Sequence, residues 1–381
     1  MSTQGKRPKK SINGWVLALI DLLLAALIVG GWFLTRFISD YFVDDEPYAE
    51  AETIVFSTPE PTPAPTPGEP TFTPGPEVTP TPDTRTEWQI RFADRFTDEV
   101  VTTENSYTSP NVAITITHHE VGEDKDKITY HLADIYVSNV QCFRSGLAAT
   151  PPKFRMSASL LKMMEDNNAI VAINGDFCGY SYGGITVRNG TAWSYRGSGV
   201  DMCVLYMDGR MATYSPGGFK LDKENLKDVF QVWSFGPGLL NEDGSPRKIP
   251  WSAVANEHIS GSNPRTAIGY YEPGHYCFLV VDGRQKGYSK GMTLAEMSEL
   301  FSQLGCLAAF NLDGGGSSMM AFRGELISQI YAKEPRNLSD CLYIADIDPM
   351  AFTEAASENS EDPETSAEPS ETPAEEGGGQ K

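Results

Sequence analysis

Acids, asparagines and arginines that flank short apolar runs are the residues of this sequence best suited to chemistry. The clearest case is AFNLDGGGSSMM, residues 309–320, where a carboxylate precedes three glycines and two serines. The carboxylate, Asp313, could attack an electrophilic carbon or activate water as a general base. The glycines leave room for a ligand and allow backbone amides to converge on an anion. The candidates here are Asn311, Asp313, Gly314, Gly315, Gly316, Ser317 and Ser318.

Three further stretches, AINGDF, NPRTAIG and VDGR, repeat this chemistry beside apolar runs. Each alone is typical of an ordinary turn, but their recurrence at strand ends indicates one shared site. Arg265 follows a proline at the start of a run, where its planar guanidinium can bind a phosphate through two hydrogen bonds. The candidates here are Asn174, Asp176, Arg265, Thr266, Asp282 and Arg284, and Arg336 in EPRNLSD is a further anion-binding candidate.

Several common catalytic motifs are missing around the glycines. A nucleotide-binding P-loop needs a lysine and a following helix, whereas SSMMAFRGE has the pattern of a strand and hairpin. No GxSxG elbow surrounds Ser317 or Ser318, which disfavours a serine hydrolase. The histidines show no HExxH or comparable metal spacing, and we interpret them as surface or strand residues. They are His118, His119, His131, His258 and His275.

Strands are predicted to position most of the candidates. Short apolar runs bounded by turn residues include ITYHLADIYV, AIVAIN, CVLYM and CFLVVDG. The dipeptides Asp208-Gly209 and Arg323-Gly324 predict tight hairpins. Asp313 is expected just beyond the strand CLAAFNL, with the glycines in the loop that follows.

Few helices are predicted. In MTLAEMSELFSQLG, Thr293 and Glu296 form a capping box, an apolar stripe follows, and Gly305 ends the helix. A second helix is expected after Ser157. Two or three helices among ten or more strands predict an α+β fold with mixed β-sheets in a single catalytic domain.

The ends of the chain differ in composition from its middle. Residues 1–14 are basic, and residues 15–34 form an apolar run that, at roughly 1.5 Å per residue, is long enough to cross about 30 Å of hydrocarbon. Acidic residues follow this run, so the positive-inside rule predicts a single-pass signal anchor in the cell membrane, with a cytoplasmic N-terminus and an extracellular domain. A cleaved signal peptide is the alternative, although no small-x-small site closes the run. Residues 35–87 predict a Pro/Thr-rich extracellular stalk and residues 349–381 an acidic disordered tail.

Charge and cysteine content narrow the function classes. The formal net charge of −21 argues against nucleic acid as a partner, because a phosphate backbone requires a basic surface. The six cysteines include no CxxC pair, so zinc-ribbon and thioredoxin-like sites are excluded. An oxidising compartment would allow up to three disulfides, but free thiols are equally ordinary in apolar strands.

Four stretches of this chain, taken in order, resemble the motifs of the phosphodiester glycosidase family. They are AINGDF, NPRTAIG, VDGR with GMTLAEMSELFSQLG, and FNLDGGGSS. The similarity spans about residues 128–344. Many relatives read NGGFF where this chain has Asp176 and Cys178 around Phe177, and Met319 stands where threonine is frequent. These departures concern the identity of the substrate more than the class of reaction.

The resemblance implies that residues 88–348 form a phosphodiester glycosidase domain, which hydrolyses the C1–O bond of a sugar-1-phosphodiester and releases free sugar and a phosphomonoester. The leaving group has a second pKa of about 6, so neutralising its phosphate matters more than protonating it. Arg265 and Arg284, with the glycine amides, would hold this phosphate. Asp313 is the first choice for nucleophile or general base, and Asp176 or Asp282 for the second carboxylate.

Asn174 and Asn311 suit sugar hydroxyls. The expected partners are a phosphoglycan or sugar-1-phosphodiester and the membrane, in cell-envelope or exopolysaccharide metabolism, and the sequence leaves the oligomeric state open. Two other functions stay open: a non-catalytic binding module for anionic wall glycan, and a phosphoesterase that cuts the P–O bond. The phosphoesterase would use a divalent cation held by Asp176, Asp282 and Asp313, whereas the glycosidase is expected to need no cofactor.

Overall fold

Short β-strands dominate the computed structural model, which describes residues 52–53, 85–150, 156–178, 184–197, 199–249 and 261–348. The helices are α1 Glu87–Arg91, α2 Leu160–Asp166 and α3 Leu294–Gln303. The strands are β1 Glu52–Thr53, β2 Val101–Thr102, β3 Ser106–Thr108, β4 Val112–Val121, β5 Ile128–Val137, β6 Phe143–Leu147, β7 Val171–Asn174, β8 Thr186–Arg188, β9 Thr191–Ser194, β10 Asp201–Tyr206, β11 Met211–Tyr214, β12 Val229–Phe235, β13 Arg265–Glu272, β14 His275–Val281, β15 Ala308–Asn311, β16 Met320–Phe322, β17 Glu325–Leu326 and β18 Asp340–Ile344.

Three sheets contain these strands, and the described pairings are all antiparallel. The orders are β1-β9-β8-β12-β10-β11, β15-β13-β14-β5-β4-β3-β2 and β17-β16-β7-β18-β6. The prediction of mixed sheets in an α+β fold is therefore wrong in its sheets, and the fold is mostly β with few helices. Parallel neighbours require long crossover connections, whereas many strands here are joined by tight turns.

A common apolar core lies between the inner faces of the three sheets. Ile135 and Phe278 enter it from the seven-stranded sheet, Leu342 from the five-stranded sheet, and Trp233 from the six-stranded sheet. Alternation along β14 sends the neighbouring Leu279 to the opposite face, where it packs in the cluster that also contains α3 residues. Burial on both faces explains why β14 is apolar at nearly every position.

The local predictions from turns and caps are confirmed. Thr293 caps α3 and forms a capping box with Glu296, and Gly305 follows with a φ of +82°. Asp208-Gly209 joins β10 to β11, which pair as an antiparallel hairpin. Arg323-Gly324 likewise joins β16 to β17.

The structure does not test the predicted membrane anchor, but it does show the state of the cysteines. The described residues contain no helix long and apolar enough to cross a membrane, and the predicted anchor at residues 15–34 lies outside them, as do most of the stalk and the tail. None of the six cysteines forms a disulfide among the described residues. The Sγ atoms of Cys277 and Cys306 are 4.0 Å apart, in contact but not bonded.

Gly269 allows α3 to pack closely on the seven-stranded sheet. A Cβ at this position would lie 2.6 Å from Cys277 Sγ, 2.8 Å from Phe301 Cε1 and 2.9 Å from Cys306 Sγ. We predict that Gly269→Ala lowers the free energy of unfolding by about 1–3 kcal/mol, because the packed core must move to accept the methyl group. Gly199→Ala is the control, since nothing lies within 4 Å of its Cβ position. Denaturant unfolding measures both, and equal stability of the two variants would contradict the packing role.

Candidate active site

The ends of β7, β13 and β15 meet around the buried side chain of Asn174. Its Nδ2 donates to the Asp313 carbonyl at 2.7 Å, and its Oδ1 accepts from Thr266 Oγ1 at 2.7 Å and from the Met319 amide at 3.3 Å. Both ends of this amide are therefore engaged within the protein. Asn174 and Thr266 hold the loop after β15 in place. Both were predicted to contact the substrate directly, and the structure instead gives them the role of positioning this loop.

Asp313 lies in that loop, partly buried, as its place beyond strand β15 predicted. Its Oδ1 accepts from the Gly314 amide at 2.9 Å. Burial raises the pKa of the Asp313 carboxyl, while hydrogen bonds from Ser317 and Gly314 and the positive charge of Arg336 oppose the rise. A carboxyl group with a raised pKa beside a glycine loop is suited to work as nucleophile, base or acid.

Two of the three amides of the predicted anion nest are hydrogen-bonded within the protein. The amide of Gly314 bonds Asp313, as described above, and the amide of Gly315 donates to the Pro264 carbonyl at 2.9 Å. The amide directions are thus set by the protein around them. The absence of a side chain on Gly315 allows Arg284 to lie close to the loop, because a Cβ on Gly315 would lie 3.3 Å from Arg284 Nη1.

Ser317, Ser318 and Arg336 border the same loop. Arg336, which is exposed, donates from Nη1 to Ser317 Oγ at 3.3 Å. Ser318 is buried, and its Oγ has no hydrogen-bond partner among the described residues. The same holds for Oδ1 of Asn311, whose Nδ2 donates to the Gly236 carbonyl at 2.8 Å.

Two arginines stand close together beside the glycine loop. Arg265 is buried, and it donates from Nε to the Met292 carbonyl at 3.0 Å and from Nη2 to the Gly261 carbonyl at 2.8 Å. Burial, followed by the charge of Arg284, lowers the pKa of Arg265 to about 10. Two like charges held in proximity favour an anion between or beside them.

Arg284 is exposed and is held by neutral groups among the described residues. Its Nε and Nη2 donate to Asn263 Oδ1 at 3.0 and 2.8 Å, and Nη1 lies 3.4 Å from the Tyr331 hydroxyl. Its guanidinium also lies over the Tyr331 ring, 5.3 Å from the centroid. Arg284 is therefore oriented without being neutralised by a described carboxylate.

Asp176 lies in a buried charge cluster rather than on the open surface. Arg188 Nη2 donates to Asp176 Oδ1 at 2.6 Å and to Asp340 Oδ2 at 3.3 Å, and the Ser234 amide donates to Asp176 Oδ2 at 2.7 Å. Burial raises the pKa of Asp176 to about 7, with Asp340 adding to the rise and Arg188 opposing it. The Arg188 guanidinium thus pairs with the carboxylates of both Asp176 and Asp340.

Asp340 ties this cluster to Asp313. The amides of Asp176 and Phe177 donate to the Asp340 carboxylate at 3.3 and 3.2 Å. Gly175 lies so close to this carboxylate that any Cβ would overlap it, and the Gly175 carbonyl accepts from the Asp313 amide at 3.3 Å. The backbone beneath Asp313 is therefore fixed by a buried acid.

Metal ligation by the predicted carboxylates is not supported by their geometry. Among the described residues, the one group of three potential ligands within 4.8 Å of one another is Asp176, Cys178 and Asp340. The predicted set of Asp176, Asp282 and Asp313 does not converge. The guanidinium of Arg188 bonds both carboxylates of the converging group, and its charge disfavours a cation there.

Asp282 faces a different part of the protein from Asp313. Its Oδ2 lies 3.2 Å from His131 Nε2 and accepts from the Tyr288 hydroxyl at 2.8 Å. Its Oδ1 accepts from the Gln329 amide at 3.1 Å. Asp282 is buried and has partners on both oxygens, so we correct its predicted role as second catalytic carboxylate.

Several residues of the site were not identified from the sequence. Asp340 stands in the quoted stretch EPRNLSD, where it has the pattern of a turn residue before a strand, and Arg188 precedes an ordinary Asn-Gly turn. The signal that could have found them is a charged residue inside an otherwise apolar strand. Tyr331 and Asn263, which contact Arg284, carry no such signal.

Parts of this chain are similar to known proteins. Residues 167–345 match the family model described as phosphodiester glycosidase. The SPbeta prophage-derived uncharacterized protein YomE of Bacillus subtilis (strain 168) is 32% identical over 197 residues, which are 49% of this chain and 29% of that protein. N-acetylglucosamine-1-phosphodiester alpha-N-acetylglucosaminidases of Bos taurus and Mus musculus are 36% and 33% identical over 73 residues, which are 19% of this chain and 14% of each enzyme. The chain spans less than a third of the length of these relatives.

One solved structure has a similar fold. The zebrafish N-acetylglucosamine-1-phosphodiester alpha-N-acetylglucosaminidase catalytic domain, auto-inhibited by its pro-peptide, matches with a TM-score of 0.51 and 20% identity. The match covers 65% of this chain and 88% of that chain. The family model confirms, over residues 167–345, the resemblance to the phosphodiester glycosidase family that the four motifs predict.

Proposed function

We propose that this chain hydrolyses a sugar-1-phosphodiester at the C1–O bond and releases the free sugar and a phosphomonoester. The observation that carries the proposal is the glycine loop with Asp313 on it and Arg284 against it. A substrate of this class needs a carboxylate at its anomeric carbon and a positive group at its phosphate, side by side. The family match at residues 167–345 supports the same reaction class.

The phosphate is assigned to the side of the loop that carries the arginines. Arg284 is exposed and Arg265 is buried next to it, so an incoming phosphate meets Arg284 first. A phosphate bound there would relieve the repulsion that helps to lower the pKa of Arg265. Charge-assisted hydrogen bonds of this kind are roughly twice as strong as neutral ones.

The sugar is assigned to the Asp313 side of the loop. Asp176, Asp282 and Asp340 are buried, whereas Asp313 is only partly buried, which leaves Asp313 as the candidate that can address the anomeric carbon. Buried polar atoms in folded proteins are nearly always hydrogen-bonded. The unpaired Oδ1 of Asn311 and Oγ of Ser318 are therefore candidate contacts for substrate hydroxyls.

Product analysis of the purified full-length chain on a panel of sugar-1-phosphodiesters tests the proposal. We expect free sugar and phosphomonoester in equal amounts, with oxygen-18 from labelled water entering the sugar. Label in the phosphate would instead indicate a phosphoesterase that cuts the P–O bond. Tight binding of the phosphodiesters without any product would indicate a binding module.

The role of Asp313 is tested in the same assay. We predict that Asp313→Asn lowers kcat by at least about 10³-fold, within the range expected for loss of a catalytic acid or base, while leaving the circular dichroism spectrum unchanged. Glu299→Gln, an exposed carboxylate on α3, is the matched control and should retain wild-type turnover. Wild-type turnover by Asp313→Asn would refute the assignment.

Arg284 is predicted to bind the phosphate of substrate and product. Removing one charged hydrogen-bonding group costs about 1.5–3 kcal/mol, so Arg284→Gln should raise the inhibition constant of the product phosphomonoester by roughly 10- to 100-fold. Arg210→Gln, an exposed arginine in the β10–β11 hairpin, is the control and should change nothing. Equal inhibition constants in Arg284→Gln and wild type would exclude this phosphate site.

We also propose that the chain is anchored in the cell membrane by residues 15–34 and acts outside the cell, on phosphoglycans of the envelope. The apolar run and the reversal of charge across it support this proposal. The full-length chain should stay in membranes after washing with high salt and be cleaved by protease added to intact cells. A variant lacking residues 15–34 should be soluble. Recovery of the full-length chain in the soluble fraction would contradict anchoring.

A further inference from the structure

Asp282 is a buried carboxylate that the proposed reaction does not use, and it joins three segments of the chain. Its Oδ2 lies 3.2 Å from Nε2 of His131 on β5 and accepts the Tyr288 hydroxyl at 2.8 Å. Its Oδ1 accepts the Gln329 amide at 3.1 Å. Tyr288 and Gln329 belong to two separate loops, so one buried side chain bonds both loops and β5.

The first of these loops, residues 283–291, carries Arg284 and is called the arginine loop. Arg284 has a φ of +59°, a conformation that persists where surrounding contacts enforce it. Asp282 accepts two hydrogen bonds from this loop, one at its carbonyl from Ser289 Oγ at 2.6 Å and one at its carboxylate from the Tyr288 hydroxyl. Burial, followed by the hydrogen bond to Asp282, raises the pKa of Tyr288, so its hydroxyl stays a donor.

The second loop, residues 327–331, is called the tyrosine loop because its Tyr331 contacts Arg284. The Tyr331 hydroxyl lies 3.4 Å from Arg284 Nη1, and the ring centroid lies 5.3 Å from the guanidinium carbon. The same loop exchanges two hydrogen bonds with the arginine loop. Gln285 Nε2 donates to the Gln329 carbonyl at 2.9 Å, and Gln329 Nε2 donates to Gln285 Oε1 at 2.7 Å. The two loops are therefore also joined to each other at the surface.

The buried bonds to Asp282 hold the loops more firmly than the bonds at the surface. The two hydrogen bonds of the glutamine pair are exposed, so water can replace either partner at little cost. Hydrogen bonds to an ionised acceptor are roughly twice as strong as neutral ones. Breaking a buried one also leaves a donor without a partner, which adds a desolvation cost. The place of both loops is therefore set mainly by the Asp282 carboxylate.

We propose that Asp282 is a positioning residue for the phosphate group of the substrate: it holds the arginine loop and the tyrosine loop so that Arg284 is oriented before the phosphate binds. This inference rests on the phosphate site proposed above at Arg284 and names the buried group that acts on it. A site that is ordered in advance binds more tightly, because the cost of ordering it is not deducted from the binding energy. Asp282 acts through Arg284 and has no contact with substrate in this role.

Titration of inorganic phosphate into the purified full-length chain, followed by phosphorus NMR, tests this role without turnover. Tyr288→Phe removes one bond to Asp282 and leaves the buried carboxylate in place, so this variant is expected to fold, and circular dichroism verifies that it does. Loss of a hydrogen bond to a charged group changes an equilibrium constant by roughly 10-fold. We therefore expect Tyr288→Phe to raise the dissociation constant of phosphate by about 5- to 10-fold, and Asp282→Asn to raise it at least as much.

Tyr107→Phe is the matched control. Tyr107 lies on β3, and its hydroxyl donates to Asp346 Oδ2 at 2.8 Å, a hydrogen bond of the same kind and length in a different part of the protein. This variant loses the same chemical group and should bind phosphate as the wild type does.

A comparison in the Arg284→Gln background separates positioning from a general loss of stability. Residues that act through one another have non-additive effects, so Tyr288→Phe should cause no further loss of affinity once the guanidinium is absent. An equal loss in both backgrounds would overturn the inference, as would wild-type affinity in Tyr288→Phe and Asp282→Asn, and either result would leave the phosphate site at Arg284 intact. Absence of phosphate binding by the wild type would refute that site and the inference with it.

Discussion

The buried guanidinium of Arg188 is the constraint on which the geometry of the site depends. It extends from β8 and joins Asp176, beyond the end of β7, to Asp340 at the start of β18, and so connects the six-stranded sheet to the five-stranded sheet. Burying charged groups costs on the order of several kcal/mol per ion, and the cluster offsets this cost with backbone hydrogen bonds. The same cluster fixes Gly175, on whose carbonyl the Asp313 amide rests. The position of the partly buried Asp313 is thus fixed by the buried carboxylates of Asp176 and Asp340.

Much of this arrangement follows from sequence patterns, because strand ends, caps and turns are local features. The carboxyl end of β15 and the capping box of Thr293 and Glu296 could be located from neighbouring residues alone. The direction in which a polar side chain points after a strand could not be predicted from neighbouring residues. Asp282 bonds His131, which is 151 residues away, and nothing in VDGR indicates that partner. The pairing of the strands could not be predicted from local patterns either. The sequence therefore predicted mixed sheets, whereas the described sheets are antiparallel.

Backbone strain occurs at two positions of the site. Phe177, beside the acid cluster, has a φ of +67°, and Arg284, beside the glycine loop, has a φ of +59°. Left-handed conformations at residues other than glycine cost on the order of 1 kcal/mol and persist where surrounding contacts enforce them. Here Asp340 accepts the Phe177 amide, and Asn263 accepts two hydrogen bonds from the Arg284 side chain. Both strained residues are therefore held by hydrogen bonds to neighbouring side chains.

The position of β18 in its sheet has a consequence for how the protein is made. This strand, near the end of the folded domain, lies between β7 and β6 and pairs Asp340 with Leu147. The five-stranded sheet therefore stays divided during synthesis until residues 340–344 have left the ribosome. Strand pairings over such long sequence separations form slowly, because the chain must first close a large loop. The five-stranded sheet should accordingly be completed only after synthesis of the domain is nearly finished, and its unpaired apolar strands are exposed to aggregation until then.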